Sequence, residues 1–376
     1  MKKFKNKLIC TIGLIFFMML SANLLKSEPL IKEKTKKNTR KEKKSGLILH
    51  PIFYYTPETK TAFGAGGMYF FQTSKNKSRI RHSYILLGVE YTLMNQFKFG
   101  LEPDIYLKNE KYHLTGGISF RKFPSKFYGI GNNTSVDMEE SYTPNTIDLR
   151  MALQRKVRSE LFLGLEYVFT QDSINEVEED RLLAGGKIPG GTGAKASGIG
   201  ILSTLDSRNS SFYPSSGNYF QLSTTIFNRF MGSDYSFKRI KLDLRKYYTL
   251  FSSHVLALQS FFCFQAGNPP FQKMSLLGGE EIIRGYYKGR YRDKNMIAIQ
   301  MEYRIVPVWW RLGLVGFVGV GDVASRLDRF DLGSFKYSYG FGIRYLFRRK
   351  EKLNVRLNFA YGNGSSGFYI VLREAF

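Results

Sequence analysis

Cysteine is nearly absent from this chain: 376 residues carry two, Cys10 and Cys263. Cys10 lies in an apolar N-terminal run that reads as a discarded leader, so one thiol remains and an internal disulfide is excluded. Histidine is almost as scarce. His50, His82, His113 and His254 have no carboxylate or cysteine at metal-ligand spacing, so no metal motif is present. There is no Gly-x-Ser-x-Gly elbow. The glycine-rich stretch at 184–195 lacks both the Gly-Lys-Ser/Thr ending and the following helix of a phosphate-binding loop, and it reads as an extended surface loop. These gaps argue against an enzyme and against any cofactor, leaving only a hydrolase site assembled from separate strands. Long apolar runs are missing as well. Beyond residue 30 no window approaches the ~18 apolar residues of a spanning helix.

What the chain does have is alternation. It is 15% aromatic and 23% charged, with 36 glycines, and Tyr, Phe, Val, Ile and Thr recur in alternating runs of about ten residues. In 296–305, Ile297, Ile299, Met301, Tyr303 and Ile305 share one parity, while Ala298, Gln300, Glu302 and Arg304 share the other. Successive strand side chains point to opposite faces, so one face meets an apolar medium and the other a polar one. The run 238–249 sets Ile240, Leu242 and Leu244 against Arg239, Lys241, Asp243 and Arg245. Such a charged stripe belongs in water or a wet lumen, not in a dry core. The fold class expected is all-β: a transmembrane antiparallel β-barrel of about 16 strands. A mean hydropathy of −0.25 fits, because only alternate residues would face lipid.

Sixteen strand candidates are counted from residue 46, an even number as single-chain bacterial barrels require. Their connections alternate between tight turns, such as 107–110 and 348–352, and long segments at 124–142, 171–195 and 267–292; the short ones are expected to be periplasmic and the long ones extracellular. The last run, 368–376, puts Phe368, Ile370 and Leu372 on one parity. It is expected to set Phe376 at a membrane interface as a C-terminal signal, with Glu374 near the headgroups. Pro51 cannot donate a ladder hydrogen bond, so it marks either a weak seam between first and last strands or simply an edge near the periplasmic rim. A weak seam could open sideways and pair with an incoming strand.

The N-terminus reads as an address. Four lysines in residues 1–7 precede an apolar core at 8–20, so 1–27 is assigned as a signal peptide. Residues 28–45 form a basic tail expected to be disordered and periplasmic, and 46–376 the barrel. The net charge is +25, of which residues 1–44 hold +10, from thirteen Lys/Arg and three Glu. Outer-membrane lipids are the expected partner of this charge, nucleic acid is not, and the tail could also serve a periplasmic partner.

Residues 276–292, LLGGEEIIRGYYKGRYR, are too charged for a lipid-facing strand and join two alternating runs. They are read as a long extracellular loop folded back into the lumen. Arg284 offers a rigid fork of donors, and Glu302, on the inward parity of the next strand, is its obvious acceptor. The alternative is that Arg284-Gly285 is an ordinary outer turn. With these residues in view, the chain resembles the BamA/TamA-type outer-membrane translocase superfamily, the bacterial surface antigen family. The resemblance rests on Gly278-Gly279 with Arg284, Gly285 and Tyr286; on Asp206 and Arg208 with Pro214 and Gly217; on Glu302-Tyr303-Arg304; and on 355–358 with the terminal Phe376. It implies the Arg284–Glu302 contact. It also implies insertion or translocation of proteins at the outer membrane of a diderm bacterium, with unfolded outer-membrane or secreted proteins as clients. The sequence departs from the pattern: no POTRA module fits ahead of residue 46, Gly319 stands where many relatives have an acid, with Asp322 three residues on and of opposite parity, and Asn209 and Asn358 stand where an acid is common. A channel, or a surface-exposed structural barrel without transport activity, is the alternative function.

Overall fold

The computed structural model describes residues 45–73, 83–211, 213–348 and 353–376. The leader and all of the tail but Ser45, which begins the first strand, fall outside them, as do residues 78–82 of the strand expected at 78–91. In chain order the strands are β1 (Ser45–Thr56), β2 (Lys60–Phe71), β3 (Ser83–Thr92), β4 (Phe97–Leu107), β5 (Tyr112–Lys122), β6 (Ser125–Phe127), β7 (Glu140–Arg158), β8 (Leu161–Val177), β9 (Gly193–Asp206), β10 (Gly217–Phe227), β11 (Phe237–Phe251), β12 (His254–Gly267), β13 (Ser275–Leu277), β14 (Tyr291–Asp293), β15 (Asn295–Trp309), β16 (Leu312–Ala324), β17 (Lys336–Arg348), β18 (Leu353–Gly362) and β19 (Ser365–Leu372).

Sixteen of these form one antiparallel wall that closes where β19 meets β1. The short β6 extends the sheet beside β7, and β13 pairs with β14 inside the long connection between β12 and β15. The expected all-β barrel and its strand number are therefore observed.

Alternation decides which face is which. On β8, Leu163 and Leu165 are exposed while Phe162 and Glu166 are buried; on β16, Leu314 and Val318 face out while Val315 and Phe317 face in. An outward belt of Leu, Ile, Val, Phe and Tyr around a polar interior is what a hydrocarbon surround selects, because each ladder satisfies its own backbone groups. Trp309 and Trp310 sit exposed at the turn between β15 and β16, where amphipathic rings suit a membrane–water boundary.

Long connections cluster at one end of the barrel. There Phe127, Tyr142, Leu183 and Phe271 pack into an apolar cap drawn from three separate connections and their strand ends. The polar stretch 171–177, read from sequence as loop, instead continues β8, paired with β7 across a bulge at Thr143–Pro144 and with β9 as far as Ser173. A hairpin rising clear of lipid needs no apolar face, so its polarity carries no loop signal.

The C-terminus overturns the interfacial placement of Phe376 and Glu374. β19 stops at Leu372, and Arg373 adopts a left-handed φ of 70°. That single residue breaks the alternation and turns residues 374–376 inward. Glu374 Oε2 accepts from Arg344 Nε at 2.8 Å, and its Oε1 accepts from Asn354 Nδ2 at 2.9 Å. Phe376 is 3% exposed and packs on Tyr247, Ala257 and Ala375. Arg344, fully buried in the lumen, attracts a carboxylate more strongly than a headgroup layer holds it.

Candidate functional site

The connection between β12 and β15 enters the lumen at Gly278-Gly279, whose φ values of 106° and 100° are open to glycine at little cost. Ile283 follows at φ 51°, a sterically costly value for a β-branched residue. Its side chain is fully buried, 3.1 Å from where a Cβ would stand on Gly319. Gly319 thus makes the groove that seats the loop. Asp322, three residues on, is bonded elsewhere than to the loop arginine. Its Oδ2 accepts from Ser334 Oγ at 2.6 Å and from Asn132 Nδ2 at 3.0 Å.

Arg284 lies fully inside. Its Nη2 forms an ion pair with Glu302 Oε1 at 2.6 Å, and its guanidinium stacks on Phe317 at 3.7 Å from the ring centre. The other Glu302 oxygen accepts from Arg304 Nε at 2.7 Å, and Arg304 Nη2 donates to the Phe376 carbonyl at 3.0 Å. Arg284, Glu302 and Arg304 are each at most 1% exposed. One buried carboxylate therefore joins the inserted loop to the C-terminal residues. A charge removed from water in this way persists only when paired, so each member holds the others in place.

The rest of the loop tip is tied to the last strands. Gly285 N donates to the Tyr369 hydroxyl at 3.0 Å, and Ser365 Oγ donates to the Gly285 carbonyl. A Cβ on Gly285 would stand 2.9 Å from the Tyr361 backbone, so only glycine allows this approach. Tyr286 donates its hydroxyl to the Tyr337 carbonyl at 2.9 Å and accepts from Asn363 N at 2.8 Å. Arg356 Nη1 donates to the Glu280 carbonyl at 3.0 Å, and its Nη2 pairs with the Glu280 carboxylate at 3.2 Å. Beyond the tip, Lys288 N donates to Glu58 Oε1 at 2.7 Å, in the turn between β1 and β2. Arg290 stacks on Tyr128 and donates to Thr134 in the connection after β6. Beside it Lys126 pairs with Glu139. Burial opposes that charge, but the bonds from Lys126 and Tyr128 with the charges of Lys126 and Arg290 outweigh it and hold the Glu139 carboxyl below its ordinary value.

The seam is thin. Among the described residues β1 and β19 share one register pair, Tyr55 with Ile370, while every other ladder of the wall has eight or more. The Tyr55 and Phe368 rings meet at 5.5 Å beside it. Pro51 is opposite Ala65 of β2 in mid-strand, on the outward parity with Leu49 and Phe53; it is not at a rim. Phe376 lies in the lumen and takes no part in the seam pairing.

The structure does not bring the turn motif to the loop. Asp206 and Arg208 sit at the short-turn end, with Arg208 Nε and Nη2 each 2.9 Å from an Asp206 oxygen and its guanidinium over Tyr219. Pro214 is buried, and Gly217, at φ 99°, lets the returning strand pass the Ser207 carbonyl. This is a braced turn. Sequence reasoning gave no lumen partner to Arg304, Arg344, Arg356 or Glu374, although it set Arg304 on the polar parity with Glu302 and quoted Arg356 in a motif. The first three stand on the inward parity of their strands, a signal that was available; Glu374 does not. Among the described residues no group of three or more His, Cys, Asp or Glu could hold a metal.

Residues 73–364 match the family model described as the Omp85 superfamily domain. Among solved structures, the chain is similar to BamA from Haemophilus ducreyi lacking POTRA domains 1–3, with 14% identity, a TM-score of 0.60, and 88% of this chain and 70% of that chain covered. It is also similar to CdiB from Escherichia coli (10% identity, TM-score 0.57, coverage 93% and 68%) and CdiB from Acinetobacter baumannii (10%, 0.56, 87% and 60%). The chain thus spans 60% to 70% of these structures' lengths. At such identities the likeness is one of fold. No curated protein sequence matches the chain.

Proposed function

The chain belongs to the Omp85 superfamily, and we propose that it inserts or translocates polypeptides at a bacterial outer membrane through the seam between β1 and β19. The observation that carries this reading is the imbalance at closure: one register pair, Tyr55 with Ile370, against eight or more elsewhere. Edge strands with free N–H and C=O groups are templates for a further strand, so an opened seam would offer a client an edge on either side. The loop is set to govern that opening. It holds β17, β18 and β19 from inside through Tyr286, Gly285 and Arg356, and reaches the first hairpin through Lys288 and Glu58. Outer-membrane lipid surrounds the wall in this reading, and unfolded membrane or secreted proteins are the clients. The Arg284–Glu302 pair positions the loop; no covalent chemistry is involved.

The test is a folding assay in liposomes holding the purified protein, with an unfolded client barrel added. Wild type, Arg284→Ala and a Tyr55→Cys/Ile370→Cys variant run beside empty liposomes. Wild type is expected to accelerate client folding. The oxidised cysteine pair should abolish the acceleration, and reductant should restore it. A locked seam that works as well as the open one would sink the lateral route. Folding no faster than in empty liposomes, together with a steady ionic conductance, would favour the channel reading.

A further inference from the structure

The lumen beside β11 holds two cations that the loop network does not use. Arg239 and Lys241 share the inward parity of β11, about 7 Å apart along the strand. Across the ladders they face Thr225 and Ser223 of β10, and Gln265 and Cys263 of β12. In front of them the lumen opens into a cavity of about 610 Å³, whose far wall is formed by β5 and β7.

The carboxylates around this cavity are nearly all engaged. Glu166 accepts from Arg150 Nη2 at 2.8 Å and Nε at 3.2 Å, from Thr225 Oγ1 at 2.8 Å, and from Ser223 Oγ. Asp148 takes Thr170 Oγ1 at 2.8 Å and Arg121 Nη2 at 2.9 Å, with Lys273 at 3.7 Å. Asp243 is gripped by Arg245 Nη2 at 2.6 Å and accepts from Gln259 at 2.9 Å. Among the described residues neither Arg239 nor Lys241 has a carboxylate within ion-pair distance. Arg239 rests on the Phe227 ring at 4.9 Å, and its Nε is shielded from solvent with no acceptor. Among the described residues Glu102 on β4 is the one lining carboxylate left without an ion pair, so two unpaired cations face one unpaired carboxylate.

We propose that Arg239 and Lys241 form a binding site in the lumen for a small oxyanion of the phosphate or sulfate class. A guanidinium fork and an ammonium on one strand face supply a planar pair of donors and a point charge, the combination that holds tetrahedral oxyanions. The Phe227 ring packs against the guanidinium. Like charges this close repel, and a bound anion removes both that repulsion and the unmet donor. The site faces water inside the barrel, while Ile240 between the two cations points outward; the ligand is therefore a free anion and not a lipid headgroup.

Equilibrium dialysis of the full-length protein in neutral detergent at low salt, against radiolabelled inorganic phosphate, tests the site. Wild type should bind about one phosphate per chain saturably, with sulfate competing. Arg239→Gln/Lys241→Gln should weaken binding at least tenfold, whereas Lys238→Gln on the opposite parity should leave it unchanged. Lys241→Gln alone, at a partly exposed position, keeps the test intact should the double variant misfold. Its binding should fall severalfold with unchanged circular dichroism. Absence of saturable binding by wild type, or equal binding by the glutamine variants, would overturn the proposal.

Discussion

Glu302 has one carboxylate and two buried arginines to answer. Glu302→Gln keeps the shape and removes the charge, leaving Arg284 and Arg304 uncompensated where water does not reach. Breaking a buried pair costs about 3–5 kcal/mol, and here two contacts share one acid. The variant should unfold at a clearly lower temperature than wild type, read from the shift of the folded band on unheated gels. Arg304→Met keeps the volume but loses the bond to the Phe376 carbonyl. It should free the last residues, so that carboxypeptidase removes Phe376 faster than from wild type; equal rates would show that packing on Tyr247 alone suffices. At this scale the sequence was half legible. Arg284 and Glu302 could be matched because strand parity puts Glu302 inside and the loop motif marks Arg284. Glu374 could not, since its inward direction depends on a left-handed arginine at 373, a conformation that residue type does not announce.

Among the elements, the inserted loop shows how shape and charge divide the work. Gly319 and Gly285 leave room, while Glu302, Arg356 and the Tyr286 hydroxyl supply the hold. Gly319→Val should therefore push Ile283 out of its groove at a cost of about 1–3 kcal/mol, the usual range for overpacking. The loop should then become cleavable by trypsin at Lys288 and Arg290 while the wall stays intact, which limited digestion followed by mass spectrometry would show. The strands themselves were readable because lipid and lumen impose opposite demands on alternate residues. Where neither demand applies, as in 171–177 above the belt, polarity looked like a loop although the ladder continues. The opposite failure occurred at 373–376, where apolar spacing suggested a strand and the backbone had already turned.

For the whole molecule, the apolar belt and the charged interior are one pattern seen from two sides. A soluble barrel would reverse it. Closure, however, comes only partly from the wall: apart from Tyr55 with Ile370 and the Tyr55–Phe368 ring contact, the first and last strands are related through what lies inside, with Tyr369 bonded to Gly285 and Glu58 to Lys288.

That arrangement has a consequence for the order of folding. A hairpin ladder forms from neighbours in sequence, but β1 and β19 are separated by nearly the whole chain, and a single register pair is a poor reward for closing so large a loop. The inserted segment, once docked, hands the last three strands a surface to assemble on before β1 arrives. The docked loop then belongs to the rate-limiting structure. Arg284→Ala should slow refolding into detergent micelles more than it speeds unfolding, a split visible in the two arms of a denaturant chevron. If only the unfolding arm moves, the wall closes first and the loop enters a finished barrel.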